Sequence, residues 1–263
     1  MITLKEVRAV LHAHKDTWLV GTHQGNDGNQ GNTLEKLLGV EENNLRLPDL
    51  GDIELKTRKA ETGSLITLFH KEPKPSRSIP KLLQCLGWKH KEAGVRYGED
   101  EMSFRSTTYA HRYSKRGFTI DLNKERIEFI FDPEQVKCTE KDVSSSFLTY
   151  GDWLSDVESR ALHYTDVLPV FWERKDFEAY CLTKLNQTLM CTLKTRKIGG
   201  VDHFKVVDAI IMSGFLSERL ERLFDGGFVA IDFDARTGHN HGTKLRVQKD
   251  KIGELFEFSE KIL

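Results

Sequence analysis

The sequence predicts an α/β or α+β fold built around a mixed β-sheet. Segments with the apolar spacing of amphipathic helices are interspersed with short apolar runs of strand length, and glycine, proline and polar clusters separate them. No internal repeat or low-complexity linker interrupts this pattern. At 263 residues the chain can bury a sizeable core, either as one large domain or as two lobes that share an interface.

The N-terminal part predicts two helices with a loop between them. Apolar residues recur at helical spacing over residues 3–14. The glycine-rich run GTHQGNDGNQGN has little to bury and predicts a loop. Asn32 is then expected to cap a helix through TLEKLLG, which Gly39 ends.

Most of the elements that follow are predicted as strands. DIELKT and SLITLF are separated by a short polar connection, which favours a hairpin, and a short helix is expected over residues 80–87. The remaining elements are, in order, two strands in GFTIDLNKERIEFIF, a helix in GDWLSDVESRAL, a strand in VLPVFWERK, the segments FEAYCLTKL and HFKVVDAIIM, a helix in SERLERLF, and a hairpin from FVAIDFDA to KLRVQ.

The composition indicates a cytoplasmic protein. No apolar run approaches the roughly 20 residues of a membrane helix, so no membrane partner is expected. The N-terminus also lacks the uninterrupted apolar stretch of a signal peptide. The four cysteines are scattered without the spacing of a zinc or redox site, which favours structural thiols.

The overall charge gives no reason to invoke nucleic acid, because the formal net charge is only -1. Local basic clusters nevertheless occur. The tetrapeptide KTRK appears at residues 56–59 and again at residues 194–197. Such clusters are commonly solvated faces.

The stretch LRLPDLGDIELKT places acids before and inside a segment that otherwise resembles a buried strand. In an extended strand Glu54 and Lys56 project from the same face. Together with Asp49, Glu54 would provide a hard-oxygen site suited to Mg²⁺, and a lysine beside a metal-bound water suits phosphodiester hydrolysis. The alternative is a surface strand with a Glu54–Lys56 ion pair, which contributes less than ~1 kcal/mol.

Two further acids leave alternatives open. Glu35, on the preceding helix, could complete the metal shell or close a capping box with Asn32. Asp52 lies two positions before Glu54 and would share its face if the strand began that early.

Residues 31–73, GNTLEKLLGVEENNLRLPDLGDIELKTRKAETGSLITLFHKEP, resemble the catalytic segment of the MvaI/BcnI restriction endonucleases. That family belongs to the MutH-like branch of the PD-(D/E)XK nucleases. The resemblance rests on the E-x-L-L helix, the PD five residues before E-x-K, the threonine after it, and the following strand. It reappears in TGHNHGTKLRV near the C-terminus, whereas the middle third is less similar.

The resemblance implies a PD-(D/E)XK core and a second lobe that together clamp duplex DNA. It assigns Asp49 and Glu54 as ligands of Mg²⁺, Lys56 as the catalytic lysine and Glu35 as an auxiliary acid. Asp52 remains the alternative ligand. We expect residues 1–160 to form mainly the catalytic lobe and residues 161–263 mainly the DNA-recognition lobe, with the possibility that the lobes interleave.

The C-terminal motif predicts a DNA-reading surface. RTGHNHG has too few apolar residues to be buried, and arginine and histidine can bond guanine in the major groove. By resemblance the readers are Arg236, His239, His241 and Arg246. The alternatives for the two histidines are a zinc site or exposed turn residues.

Two residues after the second catalytic strand are further candidates for DNA contact. His70 and Lys71 could approach a phosphate or the central base pair, or they could simply be exposed.

The main functional hypothesis is a type II restriction endonuclease that cuts both strands of a short duplex DNA site with Mg²⁺. By family resemblance the site is CCWGG-like or CCSGG-like, the enzyme is a monomer, and a cognate methyltransferase belongs to the same system. The alternatives are a MutH-like endonuclease that nicks one strand for mismatch repair, a non-catalytic DNA-binding protein, and a phosphoesterase of small substrates. Double-strand cleavage by the protein alone would exclude the repair enzyme.

Overall fold

The computed structural model describes residues 2–25, 28–40, 48–61 and 63–263. Leu45, Arg46 and Leu47 of the acidic stretch therefore lie outside the described residues. The helices are α1 (Leu4–His14), α2 (Asn29–Leu37), α3 (Ser78–Leu86), α4 (Tyr150–Glu158), α5 (Arg174–Leu185) and α6 (Ser217–Asp225). The strands are β1 (Leu19–Val20), β2 (Glu54–Lys59), β3 (Ile66–His70), β4 (Trp88–Lys89), β5 (Met102–Thr108), β6 (Arg116–Leu122), β7 (Arg126–Val136), β8 (Val170–Glu173), β9 (Gln187–Ile198), β10 (Val201–Phe215), β11 (Val229–Arg236), β12 (His239–Val247) and β13 (Phe256–Lys261).

The strands of the described ranges form three sheets. The first has the order β1-β10-β9-β2, and β13 also pairs with β10. In this sheet β2 runs parallel to β9, while β10 is antiparallel to β1, β9 and β13. The second sheet has the order β3-β12-β11-β5-β4, and the third has the order β6-β7-β8. The predicted mixture of helices with a mixed sheet is confirmed.

The chain divides into two compact units, each assembled from separate segments. The first unit comprises the residues up to Leu68, Glu178–Leu220 and Val247–Leu263; the second comprises Phe69–Phe177 and Glu221–Arg246. The predicted lobes 1–160 and 161–263 are therefore each distributed over both units. The physical reason is strand pairing, because β9, the neighbour of β2, comes from the later part of the chain.

The core of the first unit fixes the orientation of β2. Val7 and Leu11 of α1, Leu34 of α2, Leu55 of β2 and Leu193 of β9 are buried in one apolar cluster. Burial of each such side chain contributes about 1.5–3 kcal/mol. Since successive strand residues alternate between faces, anchoring Leu55 in this cluster turns its two neighbours in β2 to the opposite face.

The core of the second unit is aromatic. The Phe118 and Phe129 rings lie 5.3 Å apart, and Phe104 and Phe233 lie 5.5 Å apart. Trp153 of α4 packs edge-on against Phe118 at 5.8 Å. Tilted and edge-to-face contacts at such distances add about 0.5–1.5 kcal/mol each beyond the burial of area.

The predicted hairpin of DIELKT with SLITLF is wrong. β2 pairs with β9 and β3 with β12, so the two segments belong to different sheets. Residues 188–193 of β9 are all buried, as expected of an internal strand that is covered on both faces. Local alternation of apolar and polar residues predicts a strand, but it does not identify the partner of that strand.

Two other local predictions are corrected. α2 begins at Asn29 after Gly28, so Asn32 lies inside the helix and does not cap it. At the other end Gly39 has φ +70°, as predicted for the residue that ends the helix. The predicted loop RTGHNHGT is shorter than expected, because His239 and His241 belong to β12 and only residues 237 and 238 connect it to β11.

None of the helices in the described ranges combines the length and apolar character that crossing a bilayer requires.

Candidate active site

Glu54 is a buried carboxylate held between two lysines. It is the first residue of β2 and is only 2% exposed. Lys56 Nζ lies 2.5 Å from its Oε1 atom, and Lys184 Nζ lies 2.8 Å from its Oε2 atom. A buried charge requires such partners, because desolvation of an unpaired carboxylate is very costly. The structure thus places Glu54 and Lys56 on one face, opposite Leu55.

Asp49 lies in the turn that leads into β2. The turn is closed by a hydrogen bond from the Leu50 amide to the Ile53 carbonyl, at 2.9 Å. The Asp49 Oδ2 atom accepts a hydrogen bond from the Leu55 amide at 3.0 Å, and its Oδ1 atom lies 3.8 Å from Lys184 Nζ. Asp49 and Glu54 therefore approach the same ammonium group.

Lys184 is the functional candidate that sequence reasoning missed. It lies near the end of α5 and is 9% exposed. Phe177, Cys181 and Leu185 form the buried stripe of the same helix, and Lys184 lies within that stripe. A lysine at an apolar helical position was the available signal, since lysine is almost never buried without a partner.

The other two acids predicted near the site occupy different positions. Asp52 is exposed, and none of the described residues makes an ion pair or side-chain hydrogen bond with it. Glu35 extends from α2 toward β2: a Cβ atom added at Gly31 would lie 4.0 Å from Glu35 Oε1 and 3.9 Å from Thr57 Oγ1. Because Asn32 does not cap α2, the capping-box explanation for Glu35 is removed.

The donor set fits a divalent cation with hard-oxygen preference. Oδ1 of Asp49 and Oε2 of Glu54 converge on one position, which the Lys184 ammonium group fills. No cluster of three or more His, Cys, Asp or Glu side chains suited to a metal occurs in the described ranges. Mg²⁺ needs only one or two carboxylates, because it retains several waters and binds substrate phosphates.

Comparison with known families identifies the relatives of the chain. The sequence model of the MvaI/BcnI restriction endonuclease family matches residues 9–256. The chain belongs to the MvaI/BcnI restriction endonuclease family. It is accordingly a site-specific deoxyribonuclease, and the resemblance inferred from its motifs is confirmed. A search of curated proteins finds no match.

The endonuclease also resembles solved structures over its whole length. A complex of the restriction endonuclease MvaI with its cognate DNA substrate matches with a TM-score of 0.73 and 20% identity, covering 100% of both chains. The same enzyme in the absence of DNA gives a TM-score of 0.49 and 19% identity, again with 100% coverage of both chains. The first similarity shows that the endonuclease has the fold of MvaI.

In the second unit of the endonuclease, acids orient the two arginines predicted to read DNA. Arg236 Nη1 lies 3.1 Å from Glu101 Oε1, and its guanidinium carbon lies 5.4 Å from the centroid of the Tyr97 ring. Arg246 Nη1 lies 3.1 Å from Asp232 Oδ2. Such pairs reduce the number of orientations available to a flexible side chain.

Three histidines of the endonuclease lie on the β3 and β12 strand pair. The exposed His239 and His241 rings are nearly parallel, with centroids 6.1 Å apart. His70, at the end of β3, approaches β12 so closely that its Nδ1 atom would lie 2.8 Å from a Cβ atom added at Gly242. The Lys71 amide donates a hydrogen bond to the Thr243 carbonyl at 2.9 Å, which continues this pairing.

Proposed function

We propose that this restriction endonuclease hydrolyses phosphodiester bonds within a short specific duplex site, using Mg²⁺ at Asp49 and Glu54. The observation that carries the proposal is the convergence of both carboxylates on one cation position, 3.8 Å and 2.8 Å from Lys184 Nζ. The exposure of Asp52 supports Asp49 as the second ligand. Glu35 is proposed as an auxiliary acid that reaches the site from α2.

The bound Mg²⁺ would lower the pKa of the attacking water and offset the charge that develops on the phosphate. The side chains of the chain itself provide orientation and positive charge. Asp49 is fixed by the amide of Leu55, and Glu54 is fixed by burial. These constraints keep the carboxylates in place before the substrate arrives, so little reorganisation is required.

Lys56 and Lys184 have different proposed roles. Lys56 forms an ion pair with the Oε1 atom of Glu54. It is less buried than Glu54, with 16% of its side chain exposed. We assign it to the scissile phosphate, where an ammonium group stabilises the developing negative charge. Lys184 contacts both carboxylates and is assigned as a positioning residue that keeps them convergent.

We propose that the β11–β12 hairpin and the adjacent end of β3 read the DNA bases. Arg236 and Arg246 supply the bidentate donors that suit guanine, and His239 and His241 supply single donors. His70 and Lys71 approach the central base pair or a phosphate. The MvaI structure with its cognate DNA supports duplex DNA as the partner.

The family resemblance further suggests a CCWGG-like or CCSGG-like site and action as a monomer. We also propose that a methyltransferase of the same specificity protects the host DNA within the same system. This partner need not contact the endonuclease.

The test is cleavage of supercoiled plasmid DNA by the wild-type protein, Glu54→Gln and Lys56→Met. With Mg²⁺ the wild type should produce linear DNA, whereas EDTA should abolish the reaction. Both variants should bind duplex DNA but lose about 10²-fold or more of the cleavage rate, by analogy with other losses of transition-state stabilisation.

The products also decide between the alternatives. Accumulation of open circles that requires an added mismatch-repair partner would indicate a MutH-like enzyme and contradict the proposal. Duplex binding with no cleavage by the wild type, at any tested divalent cation, would indicate a non-catalytic protein. Equal cleavage by the wild type and Glu54→Gln would show that this cluster is not the active site.

A further inference from the structure

The two copies of KTRK follow one another within the first sheet. Lys59, the last residue of the first copy, pairs with Leu193, the residue before the second copy. The second copy then continues along β9 toward the turn at residues 199 and 200. Strand alternation places Lys194 and Arg196 on the face of Glu54 and Lys56, and Lys59 and Lys197 on the other face. The four cations therefore flank the part of β9 that extends beyond the end of β2, and we call Lys59, Lys194, Arg196 and Lys197 the basic strip.

Of the four cations of the basic strip, one, Lys197, is paired with an acid in the described ranges. Within the part of the chain that the structure describes, Lys59, Lys194 and Arg196 have no ion-pair partner. Lys197 has 72% of its side chain exposed, and its nearest carboxylate, Asp202, is 3.8 Å away. A chain with a net charge of -1 therefore concentrates positive charge at this place.

Arg58, which lies between Lys56 and Lys59 in β2, differs from the cations of the basic strip because its donors are already bound. Its Nε atom donates to Thr192 Oγ1 at 2.8 Å, and its Nη1 atom donates to the Lys249 carbonyl at 3.0 Å. Asp208 lies 4.0 Å from Nη2. Arg58 is thus used to join β2 to its neighbours, and it is excluded from the strip.

Arg196 is oriented without being neutralised. Its guanidinium carbon lies 3.9 Å from the centroid of the Trp18 ring. Stacking on an aromatic face leaves the N–H donors available at the edge of the guanidinium plane. These adjacent N–H donors match the spacing of two phosphate oxygens, so the guanidinium group can bind a phosphate through two hydrogen bonds.

Three members of the strip surround a cleft in the first unit. Lys59, Arg196 and Lys197 line a cavity of about 440 Å³, together with Asn29 and Gln30 of α2. Among the described residues, the lining contains one carboxylate, Asp202. Predominantly positive charge with amide groups is the chemistry expected of a site for a phosphodiester anion.

We propose that the basic strip binds the sugar-phosphate backbone of duplex DNA beyond the cleaved bond, with one phosphate in the cleft; this inference rests on the proposed function. Thr188 lies opposite Glu54 in the strand pair. From Thr188 to Arg196, β9 extends about 26 Å at about 3.3 Å per residue. We place the duplex axis along β9. This distance then corresponds to about eight base pairs at about 3.4 Å each, so only a duplex with long flanks reaches the far end of the strip.

The test compares duplexes that carry the cleaved site with flanks of about 4 or about 15 base pairs on each side. Affinity is measured in EDTA over a series of salt concentrations for the wild type and the double variant Lys194→Ala/Arg196→Ala. The variant should lower the slope of log affinity against log salt by about 0.9 for each lost phosphate contact, on the long duplex only.

The matched control is Lys5→Ala/Lys251→Ala, which removes the same charge from the first unit outside the strip. Lys194→Arg/Arg196→Lys should restore the wild-type slope. An unchanged slope in the alanine variant, or an equal loss on short and long duplexes, would overturn the inference. Failure of the wild type to cleave DNA would refute the proposed function alone, since the salt slope in EDTA does not depend on cleavage.

Discussion

At the scale of single residues, the site depends on a lysine that is distant in sequence. Lys184 is 130 positions from Glu54, yet its ammonium group contacts both proposed metal ligands. The positive charges of two lysines balance the negative charges of two carboxylates in the absence of substrate. The arrangement keeps like charges close together at the position where we propose that a divalent cation and a phosphate bind.

Lys184→Met should therefore separate positioning from metal affinity. Cleavage should fall by roughly 10²-fold, because Asp49 and Glu54 lose their shared partner. Since the remaining site is more negative, Mg²⁺ should raise the melting temperature of the variant more than that of the wild type. Lys175→Met, at an exposed position of the same helix, should behave like the wild type. A smaller Mg²⁺ shift in Lys184→Met would contradict this role.

The choice between the two aspartates can be tested with a matched pair. Asp49→Asn should abolish most cleavage, because Asp49 approaches the shared cation position. Asp52→Asn should retain the cleavage activity of the wild type, because Asp52 is exposed to solvent. Cleavage rates at saturating Mg²⁺ distinguish the two. The reverse result would show that the turn before β2 rearranges when the metal binds.

At the scale of elements, three cysteines are built into the core. Cys85 of α3, Cys181 of α5 and Cys191 of β9 are fully buried, whereas Cys138 is exposed. Burial raises the pKa of the Cys85 thiol to about 11 and that of Cys191 to about 12. Thiols with such pKa values are protonated at neutral pH and react slowly.

Alkylation of the folded protein with iodoacetamide near neutral pH should modify only Cys138. Mass spectrometry of the intact protein and of its peptides measures this directly. The protein unfolded in guanidinium should be modified at all four cysteines. Rapid modification of Cys191 in the folded state would show that the β2–β9–β10 sheet opens readily.

Elements that depend on residues close together in the sequence are predictable from it, and those that depend on contacts between distant segments are not. Local signals were sufficient for α1, where Thr3 and Glu6 form a capping box, and for the glycine that ends α2. The motif from which the site around Glu54 is predicted likewise consists only of nearby residues, and this site stays a prediction. Pairing of β2 with β9, and the approach of Lys184, depend on contacts between distant segments, which no local pattern specifies.

At the scale of the whole molecule, each of the two units contains a buried ion pair, and in the first unit the pair is Glu54 with Lys184. The second unit contains a buried ion pair between Arg116 and Asp142, and the Arg116 guanidinium lies 4.0 Å from the Trp88 ring and 4.7 Å from the Trp153 ring. Burial alone would raise the pKa of Asp142. Hydrogen bonds from Ser144 and Ser145 and the charge of Arg116 outweigh burial and lower that pKa below its ordinary value of 3.8.

The contribution of Asp142 to the free energy of unfolding should therefore depend on pH. A carboxylate with a lowered pKa in the folded state stabilises the protein fully above 3.8, and this contribution is lost as pH falls through the lower folded value. Asp142→Asn should reduce the free energy of unfolding by about 3 kcal/mol at neutral pH, because it breaks a buried pair. Its unfolding should then depend less steeply on acid below about pH 4 than that of the wild type. Parallel pH profiles for the two proteins, measured by denaturant unfolding, would contradict this assignment.

The central claim is that the cluster of Asp49, Glu54 and Lys56 makes the endonuclease a Mg²⁺-dependent, site-specific enzyme. The most direct measurement is sequencing of the ends produced from plasmid or phage DNA, with Glu54→Gln assayed at equal duplex binding. The wild type should give discrete fragments whose ends share one short sequence, and Glu54→Gln should give none. Ends without a common sequence, or the same discrete ends from Glu54→Gln, would contradict the claim.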